Sequence, residues 1–201
     1  MEKKGIPEQF TGKAVDFQQT VDFPSSAAAE QYFNLVRSKL MHVNDWNKIA
    51  SGPSAEFCIV DGAGNQQDRT VEKGDHIRID IPGPGLPSSG GYDWVRVENI
   101  LEESAPDFRK IALTLRPCPD PTNSKEDTAH FFKALATSSF LIEQSNTSVL
   151  VKYAGRNELV NTENESTWDN IRNFVIGVAA KIGASEPQWK ALVDGLAKVK
   201  S

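Results

Sequence analysis

From Glu56 to Tyr153 the chain reads as a succession of strands separated by turns, and that succession limits the fold more than any other feature. Glu56 to Val60 is a short apolar run that stops at Asp61-Gly62-Ala63-Gly64-Asn65, a stretch rich in turn formers. Ile77, Ile79 and Ile81 alternate with His76, Arg78 and Asp80, the period of two that puts one face of a strand on a core. The turn Pro82-Gly83-Pro84-Gly85 ends that strand and opens a long loop through Ser88-Ser89-Gly90-Gly91, placed to cover a cavity mouth. Tyr92 to Leu101 follows, with Val95 and Val97 on one face and Trp94, Arg96 and Glu98 on the other. Ile111 to Leu115 is a further strand, terminated by Pro117, Pro119 and Pro121. Phe140 to Glu143 and Val149 to Tyr153 flank Gln144 to Ser148 as a hairpin. One short helix, Lys125 to Ala136 with Phe131, Phe132 and Leu135, interrupts the series.

The two ends differ from this middle. Residues 1–12 are polar and without period, and predict a loose arm. Val15, Phe17, Gln19, Val21 and Phe23 alternate with polar residues up to Pro24, which cannot donate to a ladder. Ser25 or Ser26 then offers a capping oxygen to a helix whose apolar stripe is Ala29, Tyr32, Phe33, Val36, Leu40 and Val43. At the C-terminal end, Trp168, Ile171, Val175, Val178, Ala179 and Ile182 share one helical face, and Gly183 is suited to end that helix. Ser185-Glu186-Pro187-Gln188 starts another, with Trp189, Leu192, Val193, Leu196 and Val199 on its buried side. Strands joined mainly by turns imply an antiparallel sheet, and helices gathered on one face of it give an α+β architecture. No linker splits the 201 residues, so one domain is expected.

This order, a strand ending at a proline, a helical region, about six strands and a C-terminal helix, resembles the START-like helix-grip superfamily (polyketide cyclase/lipid-transport-like proteins). The resemblance spans roughly residues 13–183, through Val15 to Phe23, Ser26 to Val43 with Trp46, the strands from Glu56 to Tyr153, and Trp168 to Ile182. It implies a curved antiparallel sheet wrapped around the Trp168 to Ile182 helix, with a cavity between them that holds a largely apolar ligand. The Lys125 to Ala136 helix departs from the pattern as an insertion, and Glu186 to Val199 as an extra terminal helix. A partly open β-barrel with helices outside is the alternative, suggested by Gly74-Asp75 leading into a strand.

Charge and motifs narrow the function. A net charge of −5 repels a nucleic-acid backbone on average, and no lysine or arginine cluster stands out in the sequence to offset it. No run approaches the roughly 20 apolar residues that a spanning helix needs, and no apolar segment follows the Met1 to Gly5 start, so a cytoplasmic location is expected. His42, His76 and His130 stand far apart, and Cys58 and Cys118 form no pair with metal-ligand spacing, so neither a metal nor a cofactor is implied. No nucleophile elbow occurs, and the prolines around Gly83 and Gly85 remove the free amides that a phosphate cradle requires. The polar group Arg156-Asn157-Glu158 follows the last strand, near one end of the cavity that the resemblance implies. Arg156 would orient a ligand carboxylate through paired donors, with Asn157 and Glu158 adding directional hydrogen bonds. His130 beside Phe131-Phe132, and the rigid amphipathic rings of Trp94 and Trp168, complete the candidate ligand-binding set. A binding protein for a small apolar ligand is the leading expectation. An interaction module presenting an apolar patch around Phe131-Phe132 or the last helix is the second. An enzyme on the same scaffold, with His130 or Glu158 as acid or base, is the third.

Overall fold

A computed structural model gives the fold and describes residues 5–50, 55–80, 92–122, 136–158 and 187–199. Strand β1 (Lys13–Asp22) leads into helix α1 (Ser26–Met41), followed by a single 3-10 turn and the short helix α2 (Trp46–Ile49). Six strands follow: β2 (Glu56–Val60), β3 (His76–Asp80), β4 (Asp93–Ala105), β5 (Phe108–Pro117), β6 (Thr137–Ser145) and β7 (Ser148–Glu158). Residues 187–196 form the last helix, α3. The strands make one seven-stranded sheet in the order β1-β7-β6-β5-β4-β3-β2, antiparallel at every junction.

Period-two patterning sorts the sheet into two faces. Phe57, Ile77, Val95, Leu113, Phe140 and Tyr153 belong to the face covered by helices, where they join Phe33, Val36, Leu40 and Trp46 in one core cluster. Helix α1 starts as its sequence directs: the Ser25 side chain accepts from the amide of Ala28 at 3.2 Å. Its expected stripe is buried from Ala29 to Leu40. Trp46 lies fully buried at the centre, and its indole N–H donates to the Leu40 carbonyl at 3.1 Å, which meets the one polar need of that ring. Helix α3 lies on the same face, with Trp189, Leu192, Val193 and Leu196 buried. Of the two C-terminal helices read from the sequence, it is therefore the later one that is seen seated on the sheet. Trp168 to Ile182, the Pro82 to Gly91 loop and the Lys125 to Leu135 stretch lie outside the described residues.

The β4–β5 and β6–β7 hairpins are longer than their apolar runs. Beyond Leu101 the β4–β5 ladder continues through polar pairs such as Glu103 with Lys110, because backbone hydrogen bonds need no apolar side chain. Both tips turn at a residue with positive φ, Asp107 (55°) and Asn146 (53°), side chains that tolerate that region. The tips are joined by the Asn146 amide donating to the Asp107 carbonyl at 2.8 Å, and Ser26 at the start of α1 donates to the Asp107 carboxylate at 2.6 Å. One end of the sheet is thereby tied to the helix. At the other end lie the close of β3, β5 and β7 and the start of β4 and β6, so the connections between them leave from there.

Residues 5–12 are fastened, not loose. Gly5 lies over Ala112 and Leu101 on the outer face of β5 and β4, where a β-carbon would stand 2.7 Å from that of Ala112. Farther along, Phe10 and Thr11 donate backbone hydrogen bonds to the Asn157 side chain at 2.7 and 3.2 Å. The sequence hid this because the arm is held mainly by its backbone, with Gln9 the side chain that also takes part.

Candidate functional site

At the end of the sheet where the connections leave, the aromatic lining of the helix face gives way to polar groups. Tyr153 stacks on Trp189 at 5.9 Å and on Phe17 at 5.8 Å between ring centroids, and meets Phe140 at 5.4 Å. Trp189 also meets Phe57, Phe140 and Trp46 within 6.4 Å, so strand and α3 rings form one continuous wall. The Tyr153 hydroxyl stands at the edge of that wall, 3.1 Å from Ser138 Oγ and 3.4 Å from Glu158 Oε1. Glu158 is 6% exposed, and its carboxylate rests against Gly155, where a β-carbon would overlap Oε1. Two hydroxyls and a carboxylate thus converge beside a buried aromatic cluster, a juxtaposition suited to fixing one polar end of an apolar molecule.

Glu158 reaches this face through a fault in the ladder. Between β1 and β7, Lys13 pairs with Glu158 but Val15 pairs with Gly155, so β7 carries one residue more than β1 across that step. The extra residue is absorbed at Asn157, whose φ is 56°. Such a bulge re-aims the residues after it. Arg156 stays on the outer face and Glu158 turns to the helix face beside Tyr153. Asn157 faces neither way: it is 3% exposed, its Nδ2 donates to the Glu8 carbonyl at 2.9 Å, and its amide donates to Gln9 Oε1 at 2.8 Å.

Three neighbouring residues of the sequence therefore occupy three environments. Arg156 donates to the Gly155 carbonyl at 2.7 Å and to Asp16 at 3.0 Å, and Lys152 reaches the same carboxylate at 2.8 Å. Burial alone would raise the Asp16 carboxyl, but hydrogen bonds from Arg156 and Lys152 outweigh it and hold the group below the ordinary carboxylate range. Two guanidinium donors of Arg156 are thus engaged on the face away from the aromatic wall. Trp94 is also on that outer face, opposite Arg78, packed with Cys58 and Val60 in a separate small cluster. Neither residue joins Ser138, Tyr153 and Glu158. His130 and Trp168 lie outside the described residues. Both cysteines are free thiols. Among the described residues no group of three or more His, Cys, Asp or Glu could hold a metal ion, and no helix is long and apolar enough to cross a membrane.

Sequence reasoning passed over Ser138 and Tyr153. The signal for Tyr153 was present: Val149, Val151 and Tyr153 share one strand face, and only the last carries a polar tip. Ser138 gives no comparable signal, because only the β6–β7 register brings it next to Tyr153.

The sequence matches no family model and no curated protein. Solved structures do match. The chain is similar to hypothetical protein jhp0584 from Helicobacter pylori, with a TM-score of 0.53 at 16% identity, over 98% of this chain and 92% of that one. A seven-stranded antiparallel sheet with its first strand beside its last, a helix between the first two strands and a terminal helix on the same face defines the architecture. The fold is of the helix-grip kind. Weaker similarities are to norcoclaurine synthase from Thalictrum flavum (TM-score 0.40, 8% identity, covering 96% of this chain and 100% of that one) and a START superfamily protein from Mycobacterium smegmatis (0.30, 12%, 88% and 96%). At these identities the likeness concerns the fold.

Proposed function

We propose that this helix-grip protein binds a small, largely apolar molecule against the aromatic wall, with one hydrogen-bonding end held by Ser138, Tyr153 and Glu158. Helix-grip proteins typically take hydrophobic ligands between sheet and C-terminal helix. The observation that carries the reading is the join between the rings of Phe17, Phe140, Tyr153 and Trp189 and the polar group at the edge of that surface. Glu158, when ionised, is an acceptor with about four lone-pair sites. The favoured ligand end is therefore a donor such as a hydroxyl or an amine. This differs from the carboxylate that Arg156 was expected to hold, because Arg156 serves Asp16 on the other face.

Mass spectrometry of freshly purified protein under native and then denaturing conditions tests the reading. An added mass seen only in the native spectrum is the expected result and gives the class of the molecule. If the native mass equals the bare chain, titration with pyrene and 1-pyrenemethanol decides the matter. Saturable binding that quenches the tryptophan emission supports the reading, and no binding of either probe ends it.

A further inference from the structure

We propose that the N-terminal arm, acting through Asn157, sets the position of the Glu158 carboxylate and so determines how well the polar end of a ligand is held. The inference rests on the ligand-binding reading above and assigns a role to residues 8–12 within it.

The geometry has three parts. First, strict alternation along β7 would leave Glu158 on the outer face with Lys152 and Arg156. It stands beside Tyr153 only because Asn157 adds a residue in the left-handed region. Second, that conformation is unfavourable for a side chain other than glycine, and asparagine tolerates it when its amide finds local partners. Among the described residues the partners of the Asn157 side-chain amide come from the arm: the Phe10 and Thr11 amides donate to Oδ1, and Nδ2 donates to the Glu8 carbonyl. The backbone amide of Asn157 donates to the Gln9 side chain, which also bonds the carbonyls of Thr11 and Gly12 and so braces the arm. Third, Gly12, with φ +69°, passes so close that a β-carbon would collide with the backbone carbonyl of Glu158. The arm therefore touches the bulge at Asn157 through its side chain and, directly after it, the Glu158 carbonyl. Asn157 is a positioning residue, and the arm is what holds it.

The test uses Asn157→Gly in the full chain. Glycine accepts the positive φ, so the ladder persists, while the three side-chain hydrogen bonds to the arm are lost. Gln9→Ala, which removes the acceptor for the Asn157 amide and the donors that brace the exposed arm, serves as a second variant that leaves the core untouched. Two quantities are read: amide exchange of Phe10 and Thr11, and the ratio of affinities for 1-pyrenemethanol and pyrene, which differ by one hydroxymethyl group. The wild type is expected to favour the alcohol by about tenfold, the size of one good hydrogen bond. In Asn157→Gly the two amides are expected to lose protection and the preference to fall toward unity while pyrene still binds, and Gln9→Ala is expected to move both readouts the same way by less. A preference that survives release of the arm overturns the inference and leaves the ligand-binding reading intact. Amides that stay protected in Asn157→Gly overturn it as well, because Asn157 then does not hold the arm. If the wild type binds neither probe, or binds both without preference, the fault lies in the underlying reading, and the inference falls with it.

Discussion

Arg156 and Glu158 are two positions apart in β7, and alternation alone would give them the same surroundings. One lies with Asp16 on the outer face and the other with Tyr153 on the helix face, because the residue between them adopts a positive φ. No feature of the sequence announces that angle. Asn157 is a common loop residue, and the apolar alternation of the sequence stops at Tyr153. Tyr32 shows a buried polar group of another kind. Its hydroxyl donates to the Ala197 carbonyl at 2.6 Å where α1 meets the end of α3, and burial pushes its ionisation up from the ordinary 10 to about 12. The sign follows directly. The folded state holds this proton more tightly than the unfolded chain, so the contribution is complete below about pH 10 and is lost as pH rises toward 12. Urea melts between about pH 9 and pH 11.5 should therefore show wild-type stability falling more steeply than that of Tyr32→Phe, a range set by the ordinary tyrosine value. Parallel curves would mean that the hydroxyl ionises as freely in the folded protein as in the unfolded one.

Elements were legible where a helical or period-two stripe was complete. The stripe on α1 and the buried side of α3 matched the burial seen from Ala29 to Leu40 and from Trp189 to Leu196, although Val199, expected on that side, lies past the end of α3 and is exposed; β1 and β3 fell where alternation put them and β2 where its apolar run did. Strand ends were less legible. β4, β5 and β7 run on through charged residues whose partners are supplied by the neighbouring strand, a relation that depends on register and not on local composition. The seating of α3 depends on a detail of similar kind. Gly195 lies against the end of α2 so closely that a β-carbon would collide with the Ile49 carbonyl, and no flexible side chain is available to give way. Overpacking of this sort costs about 1–3 kcal/mol. Gly195→Ala should lower unfolding stability by that amount in urea melts, although alanine is the better helix former. A change smaller than about half a kcal/mol, the size of an ordinary surface substitution, would show that α3 can slide away from α2 at little cost.

At the scale of the whole molecule, the antiparallel α+β class followed from turn-separated strands, and the helix-grip order followed from the sequence of elements. The position of the first strand beside the last did not follow from either, since alternation reveals a buried face but not a neighbour. The observed order places β5 and β6 in the interior of the sheet, hydrogen-bonded on both sides, and leaves β1 and β2 at its two edges. Native-state amide exchange should reflect this. The amides of Ile111 to Leu115 and Phe140 to Ile142 are expected to open only with global unfolding, whereas those of β1 and β2 that point away from the sheet exchange through local opening. Equal protection at centre and edge would mean that another segment covers the edges.

The pairing of β1 with β7 also has a consequence in time. Asp22 is matched with Ser148 and Lys13 with Glu158, so the first strand of the sheet to be made is paired, among the described strands, only with the last. At ordinary rates of synthesis that partner follows on the order of ten seconds later. Throughout that interval β1 is a finished edge with nothing beside it, the form of strand most prone to join a neighbouring chain. Its outward positions are Asp16, Gln18, Thr20 and Asp22, and a row of that kind keeps a waiting strand in solution until its own sheet arrives.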